Sequence, residues 1–376
     1  MNTEQKKYKF LTDEGQKILP KLLERIYLEL KDDLDDKTSS FSSSELDRYL
    51  IVSFEEGKTA RENILKSTET VASRLVFNKM MRSALTAAMF PNWLRSKHLN
   101  LQNPTDIFEK IFCQEEKCLD FNGVLPNGCR DKLRRVGREK FIEDMEKTFL
   151  TLFSGNNVQS QDKKNHKKRN KKRKGRKSKT LAYKFVRTGF DCMLFIEEGG
   201  GGKKIIRLID SIYELQKTKE VIEPDFSVFL MHALPFLFQG VYGFGIPIAQ
   251  NLLKDLGYSG FVKADTHIRK AVDAFKSNGL ILELFDEENP CRIGDLFNEI
   301  KEVPGLFDKL SSELKPEGRS FYLDRLFWLY FGRNFYLHEK KGKVKDDILD
   351  KLIKTLKEEK GEGECPEFCV CPNFIA

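Results

Sequence analysis

Long apolar runs, strand-like alternation and internal repeats are all scarce in this 376-residue chain. A membrane helix needs about 20 consecutive, mostly apolar residues. The nearest approach, Val228 to Ala249, is interrupted by His232, Pro235 and Gln239, then by Gly240, Gly243, Gly245 and Pro247, and has no basic flank close by. No membrane partner is therefore expected. Met1 to Lys9 is polar and Leu19 to Leu30 is broken by charges, so no secretory signal is read. The expected location is intracellular: the nucleus of a eukaryotic cell, or the cytoplasm and nucleoid of a prokaryotic one. In such a compartment the eight cysteines are expected to be mostly thiols, not disulfides. Cys113, Cys118, Cys129, Cys192 and Cys291 are scattered, whereas Cys365, Cys369 and Cys371 cluster in CPEFCVC.

What is present is helix-forming and aromatic. The composition is 40% apolar and 32% charged, which suits a soluble protein with a sizeable core, in one large or two ordinary domains. With 30 phenylalanines that core is expected to be rich in aromatic rings.

Acid is missing from one segment. Residues 163 to 179, KKNHKKRNKKRKGRKSK, hold twelve Lys or Arg and no Asp or Glu, and without them the net charge of +8 becomes −4. Such a run repels itself and cannot build a core, so it is expected to be a disordered arm or insertion. It is open to two uses: a solvated loop or nuclear-import signal, or a tether whose charges displace counterions from phosphates. Both suit a nucleic-acid protein.

Most of the remainder shows helical periodicity. Ile18, Leu22, Ile26 and Leu30 form one stripe, with Leu19, Leu23 and Tyr27 beside it. Phe41 to Ser44 reads as a loop ahead of a helix at Glu45. Further helices are expected over about 70–90, stopped by Pro91; from Pro104; and over 132–153. The four glycines of EEGGGGKK (197–204) suggest a flexible turn. Ile205, Leu208, Ile209, Ile212 and Leu215 mark the next helix, and Pro224 starts another that runs to about Gln239. Residues 319–331 carry Phe321, Tyr322, Leu326, Phe327, Trp328 and Tyr330, a stripe expected to be core, with Gly332 as its stop. The last helix, from Val344 to about Lys357, sets Ile348, Leu352 and Leu356 on one face. The expected organisation is an N-terminal helical region (1–154) contributing to the same core, a basic insertion (155–180), a helical segment (181–263), a second one opening on Asp265 (264–360), and a cysteine tail (361–376).

The chemistry concentrates in GFGIPIAQNLLKDLGYSGFVKADTHIRK, Gly243 to Lys270. Glycines permit a sharp reversal between two helices and close approach to a ligand. Pro247 fits the first turn of a helix starting near Ile246. Free amides at such a start suit a phosphate, so Gly243, Gly245 and Ile246 are candidate contacts to a nucleic-acid backbone. Any helical hairpin can use such glycines. Downstream, Asp265 precedes Ile268, Val272 and Phe275, which share a face. An aspartate there is a favoured helix cap. The helix dipole also stabilises its negative charge, and such a carboxylate can steady positive charge on a sugar or orient a water.

The combination resembles the helix-hairpin-helix DNA glycosylase superfamily, which includes endonuclease III and the adenine glycosylase. The family pattern runs leucine-proline-glycine-valine-glycine-x-lysine and then, about eighteen residues on, valine-aspartate-threonine-histidine-valine. Here Val241-Tyr242-Gly243-Phe244-Gly245-Ile246-Pro247 is followed by Ala264-Asp265-Thr266-His267-Ile268, and Asp265 lies 18 positions after Pro247. Ala249 and Leu252-Leu253 fall where the family has small and apolar residues. The resemblance covers about residues 239 to 275. It implies a mostly α fold with two helical subdomains flanking a cleft. It also implies double-stranded DNA as partner, a flipped base, Asp265 as the catalytic carboxylate, and His267 as a candidate backbone contact. The chain is expected to work as a monomer.

Two departures narrow the expectation. The family's bifunctional members use the hairpin lysine as an amine nucleophile, and Pro247 has no amine; Lys254 is displaced from that position. The expected activity is therefore monofunctional: base removed, strand left uncut. Some relatives carry an iron-sulphur cluster on Cys-x6-Cys-x2-Cys-x5-Cys. Cys365, Cys369 and Cys371 do not have that spacing, so no cofactor is expected and these three remain only weak metal-ligand candidates. A non-catalytic helix-hairpin-helix DNA-binding protein, with Asp265 only a cap, is the alternative, and an RNA-binding protein is a third.

Overall fold

The structure is a computed structural model, and it describes residues 10–35, 43–85, 104–116, 122–153, 179–282, 290–300, 319–332 and 347–359. The basic run as far as Ser178 and the cysteine tail lie outside the described residues. Among those residues the chain is mostly α. The helices are α1 (Asp13–Asp35), α2 (Ser43–Lys66), α3 (Glu69–Leu85), α4 (Pro104–Glu116), α5 (Asn127–Val136), α6 (Arg138–Phe153) and α7 (Leu181–Glu198). They continue with α8 (Gly202–Ile222), α9 (Pro224–Phe236), α10 (Ile246–Asp255), α11 (Thr266–Ser277), α12 (Pro290–Glu299), α13 (Arg319–Phe331) and α14 (Ile348–Glu358). The extended backbone among them includes a single isolated bridge between Leu11 and Ile281.

Two compact units divide the chain. One takes residues 57–257; the other takes 1–56 together with 258–376, so both draw on the N-terminal third.

The 57–257 unit is built on phenylalanine. Here α3 packs against α7, α8 and α10, while α6 packs on α7 and α9 on both α8 and α10. Phe108 stacks on Phe185 at 5.2 Å and meets Phe77 edge-on at 5.3 Å. Both are geometries that satisfy the ring quadrupoles. The ring of Phe108 also covers Gly189 of α7 so closely that an added Cβ would lie 2.0 Å from its Cζ. Gly189 is there because the ring leaves no room for a side chain.

The other unit closes around the faces of α1 and α13. Ile18, Leu19, Leu22, Leu23, Ile26 and Leu30 of α1 are all fully buried, and so are Tyr322, Leu326, Phe327 and Tyr330 of α13. The stripes expected at these two helices are thus the core. Around them α1 packs against α13 and α14, α11 against both of those, and α12 against α13.

Three expectations need correction, and two helices bury a stripe offset from the apolar spacing. The amphipathic stretch 132–153 is not one helix: it is divided at Gly137, whose φ of +80° ends α5 and lets α6 start afresh. The four glycines at 199–202 do not form a loose turn. Gly200 and Gly201 adopt φ of +75° and +108°, the Gly202 N–H donates to Ser73 Oγ at 3.0 Å, and a Cβ on Gly202 would sit 2.6 Å from the Ala72 carbonyl. The reversal is fixed by what it packs against. On α8 the buried face is Ile205, Ile206, Ile209 and Tyr213, leaving Leu208 and Leu215 exposed. On α14 Leu349, Ile353 and Leu356 are buried, and Ile348 and Leu352 pack partly buried against the same core. The second helix begins at Ser43, two residues before Glu45.

Candidate functional site

The glycine turn belongs to the 57–257 unit. After α9 the chain does not reverse in one step. A series of tight turns carries it round: Phe238 N–H to the Pro235 carbonyl, Val241 to Phe238, and Phe244 to Val241. Val241 and Phe244 are buried, and Phe244 packs on Phe238 at 5.9 Å. These two side chains anchor the turn while Gly240, Gly243 and Gly245 stay exposed. Gly243 has φ +84°, a conformation that favours glycine, whereas Gly245 is extended at −78° and caps α10. A Cβ added at Gly240 would meet nothing within 4 Å, and one at Gly245 would meet only Pro247 Cδ at 3.8 Å. The glycines at 240 and 245 are therefore not demanded by crowding. They leave the backbone bare toward solvent.

The second helix starts at Ile246, as the proline spacing implies, and its start has no side-chain cap. An uncapped helix start with exposed backbone can accept an anion. Pro247 occupies the first turn and contributes no N–H. Lys254, near the other end of α10, is buried.

Sequence reasoning missed what holds the turn. Asp191 of α7 is 3% exposed at its side chain and accepts from two donors. The Arg138 guanidinium donates to Oδ1 at 2.6 Å, and the backbone N–H of Tyr242 donates to Oδ2 at 3.1 Å. One turn earlier on α7 the Arg187 guanidinium lies 4.5 Å from the centre of the Tyr242 ring. Arg187 in turn faces Glu139 at 3.8 Å, and Glu139 accepts from the Tyr183 hydroxyl at 2.7 Å. That bond, ahead of the nearby cations, holds the Glu139 carboxyl below its usual range. Burial, with the same carboxylate beside it, pushes Tyr183 up to about 12. No short-range pattern signals this network, because it joins three segments (138–139, 183–191 and 242) that lie tens of residues apart in sequence.

Asp265 belongs to the other unit. It is extended, with φ −85° and ψ −174°, and is the N-cap of α11. Oδ1 accepts from the His267 N–H at 2.9 Å and the Ile268 N–H at 3.3 Å. Oδ2 lies 3.7 Å from the Lys263 Nζ, with the Asp265 side chain 22% exposed and that of Lys263 13%. Lys263 is itself placed by its backbone N–H, which donates to the buried Asp324 carboxylate at 3.1 Å. One oxygen of Asp265 is thus engaged by the helix, while the second faces an ammonium, and the side chain as a whole is partly open to solvent. A carboxylate held this way can stabilise a neighbouring cationic centre without reorganising.

His267 is placed by stacking: its ring lies parallel to Phe331, 9° between planes and 5.8 Å between centroids. Burial pushes its pKa down, against the opposing pull of Asp265. Its Nδ1 is buried without a hydrogen-bond partner among the described residues.

The structure therefore puts Gly243, Gly245 and Ile246 at an exposed helix start in one unit, and Asp265 and His267 at the start of α11 in the other. Among the described residues no cluster of His, Cys, Asp or Glu is arranged to hold a metal ion. Cys129 and Cys192 are buried free thiols, and burial pushes Cys192 well above the usual thiol range. Comparison with protein-family models, with curated proteins and with solved structures found no match.

Proposed function

We propose that the protein is a monofunctional DNA glycosylase, hydrolysing the N-glycosidic bond of a damaged or mismatched base in double-stranded DNA. One observation carries this reading: Asp265 is a partly exposed carboxylate locked by the first amides of α11, 18 positions after the proline of an exposed Gly-x-Gly helix start. In this reading the helix-hairpin-helix grips phosphates without reading sequence, as bare amides and a helix dipole do. The target nucleotide leaves the stack. As the bond from C1′ to the base nitrogen breaks, positive charge builds on the sugar, and Asp265 Oδ2 stabilises it. A water then bonds to C1′, and its proton passes by way of Asp265 to the departing base. Pro247 offers no amine to the sugar, so the strand stays intact and an abasic site is the product. The enzyme works as a monomer and uses no cofactor.

A second reading has its own support. Asp265 Oδ1 is taken up in capping α11, which is all that a non-catalytic DNA-binding protein would ask of it.

Duplexes carrying single modified or mismatched bases separate the two. After incubation and hot alkali, strand breaks made by the wild type and lost in Asp265→Asn, with binding retained, support the glycosylase. Binding indifferent to the lesion, with no breaks anywhere in the panel, supports the binding protein.

A further inference from the structure

A buried carboxylate committed to a surface turn calls for a reason. Taking an ion pair out of water is costly, and apolar residues of similar volume commonly stabilise as well. Here only Asp191 is buried while Arg138 stays half exposed, and a buried carboxylate is a weak device for stability alone. What the pair does is geometric. Asp191 Oδ2 receives the N–H of Tyr242, the residue immediately before Gly243, at 3.1 Å. On the same face of α7, Arg187 covers the Tyr242 ring at 4.5 Å, and Thr188 Oγ1 would lie 3.4 Å from a Cβ placed on Gly243. Two side chains of one helix thus hold Tyr242, and a third lies beside Gly243. Arg138, at the start of α6, orients the carboxylate that does the central part of the gripping.

We propose that Asp191 is a positioning residue: it holds the Tyr242–Gly243 peptide so that the bare backbone of the turn is already shaped for a DNA phosphate. This inference rests on the helix-hairpin-helix reading of the previous section. A turn ordered before binding loses less entropy when the phosphate arrives, and so binds more tightly with no added contact. Asp191 itself touches no DNA. The fixed bond also explains why the chain keeps an N–H at this position: Tyr242, unlike a proline, can donate to Asp191.

The test needs no knowledge of the lesion. Binding of an undamaged fluorescent duplex is followed by anisotropy across a salt series, for the wild type, Asp191→Asn, and the double variant Asp191→Asn with Arg138→Gln. An asparagine amide must turn its NH2 either toward Arg138 or toward the Tyr242 N–H, setting donor against donor. Affinity is expected to fall about tenfold with the loss of this charge-assisted bond. The slope of log affinity against log salt is expected to stay near the wild-type value, because the lost contact is made by neutral amides and releases no counterion of its own. In the double variant no guanidinium competes for the asparagine oxygen, which is free to receive the Tyr242 N–H again, so affinity is expected to return. A loss of folded protein alone would lower the active fraction and leave the affinity of that fraction unchanged.

Wild-type binding whose affinity is kept in Asp191→Asn overturns the inference and leaves the DNA-binding reading intact. A double variant that does not regain the wild-type affinity also overturns it. Should the single variant fail to fold, Tyr242→Pro, which removes the donor instead of the acceptor, takes its place, and unchanged affinity there overturns the inference in the same way. A wild type that binds no duplex at any salt removes both the reading and the inference.

Discussion

On the glycosylase reading Asp265 has two separable duties, and its substitutions should come apart accordingly. As a cap it accepts from His267 N–H and Ile268 N–H, at 2.9 and 3.3 Å. Alanine removes both bonds and leaves two amides of α11 without a side-chain acceptor, so Asp265→Ala should cost about 1 kcal/mol, within a range of about 0.5–2. Asparagine caps about as well as aspartate, so Asp265→Asn retains this contribution. It loses only the attraction to Lys263 at 3.7 Å and to the helix dipole. With both side chains partly exposed, that loss should amount to about 0.5 kcal/mol after screening. For a unit of this size a kilocalorie moves the thermal midpoint by about 2–4 °C. Calorimetry should therefore find alanine lower than wild type by about that amount and asparagine close to wild type. On the glycosylase reading both variants should also lose excision, since both lack the charge proposed to steady the sugar. An asparagine variant as unstable as the alanine one would refute the division of labour, because capping would then depend on charge. An alanine variant with unchanged stability would refute the cap itself.

Two other outcomes follow from the packing. Gly189→Ala places a Cβ 2.0 Å from Phe108 Cζ at the centre of the aromatic cluster; overpacking should cost about 1–3 kcal/mol, read as a lower denaturation midpoint of the 57–257 unit. His267 should make stability depend on pH. Burial lowers its folded-state pKa below the ordinary imidazole value, so as pH falls through that ordinary value the unfolded chain takes up a proton that the folded chain does not. Stability should then fall with pH below about 6.5 and stop falling at the folded-state value. Denaturant midpoints of the wild type and His267→Gln, compared from pH 7.5 downward, should diverge in this window; parallel curves would exclude the effect.

The helices that could be read from the chain are those whose burial is decided along their own axis. In α1 every fourth residue faces the core, and the α13 aromatics crowd one face, so periodicity alone located both. The start of α10 and the cap of α11 were equally legible, because proline after a glycine turn and aspartate before an amphipathic run act within a few residues of themselves. Other features were decided by partners distant in sequence. Gly199 to Gly202 read as loose because glycine is permissive in isolation, yet Ser73 and the Ala72 carbonyl leave a single arrangement. The divide at Gly137 interrupts a pattern that is continuous in apolar spacing. Leu208 and Leu215 share the helical spacing of Ile205 and Ile209, but of these four only the two isoleucines are buried.

The same distinction runs through the candidate site. Asp265, Gly243, Gly245, Ile246 and His267 stand in short motifs, and each could be named from them. The stacking of His267 on Phe331 could not, since its partner is on α13. Nor could the clamp on Tyr242, which joins α6, α7 and the turn. Lys263 stood in plain sight two residues before Asp265, but alternation in an extended segment does not announce that an amine will reach the neighbouring carboxylate. Exposed aromatic residues were equally hidden: Phe226, Phe229 and Phe236 lie on the outward side of α9, at 39%, 62% and 49% exposure, in a helix apolar enough to have passed for core.

Release of a free base is the most direct measure of the central claim. The wild type and Asp265→Asn are incubated in single turnover with the lesion-bearing duplexes. The solution is assayed for free base by mass spectrometry, and the strand for breaks, before any alkali is added. The expected result is base released by the wild type with the strand whole, and no release by the asparagine variant although it still binds. Release by that variant at the wild-type rate, or tight binding of the whole panel with no base ever freed, would contradict it.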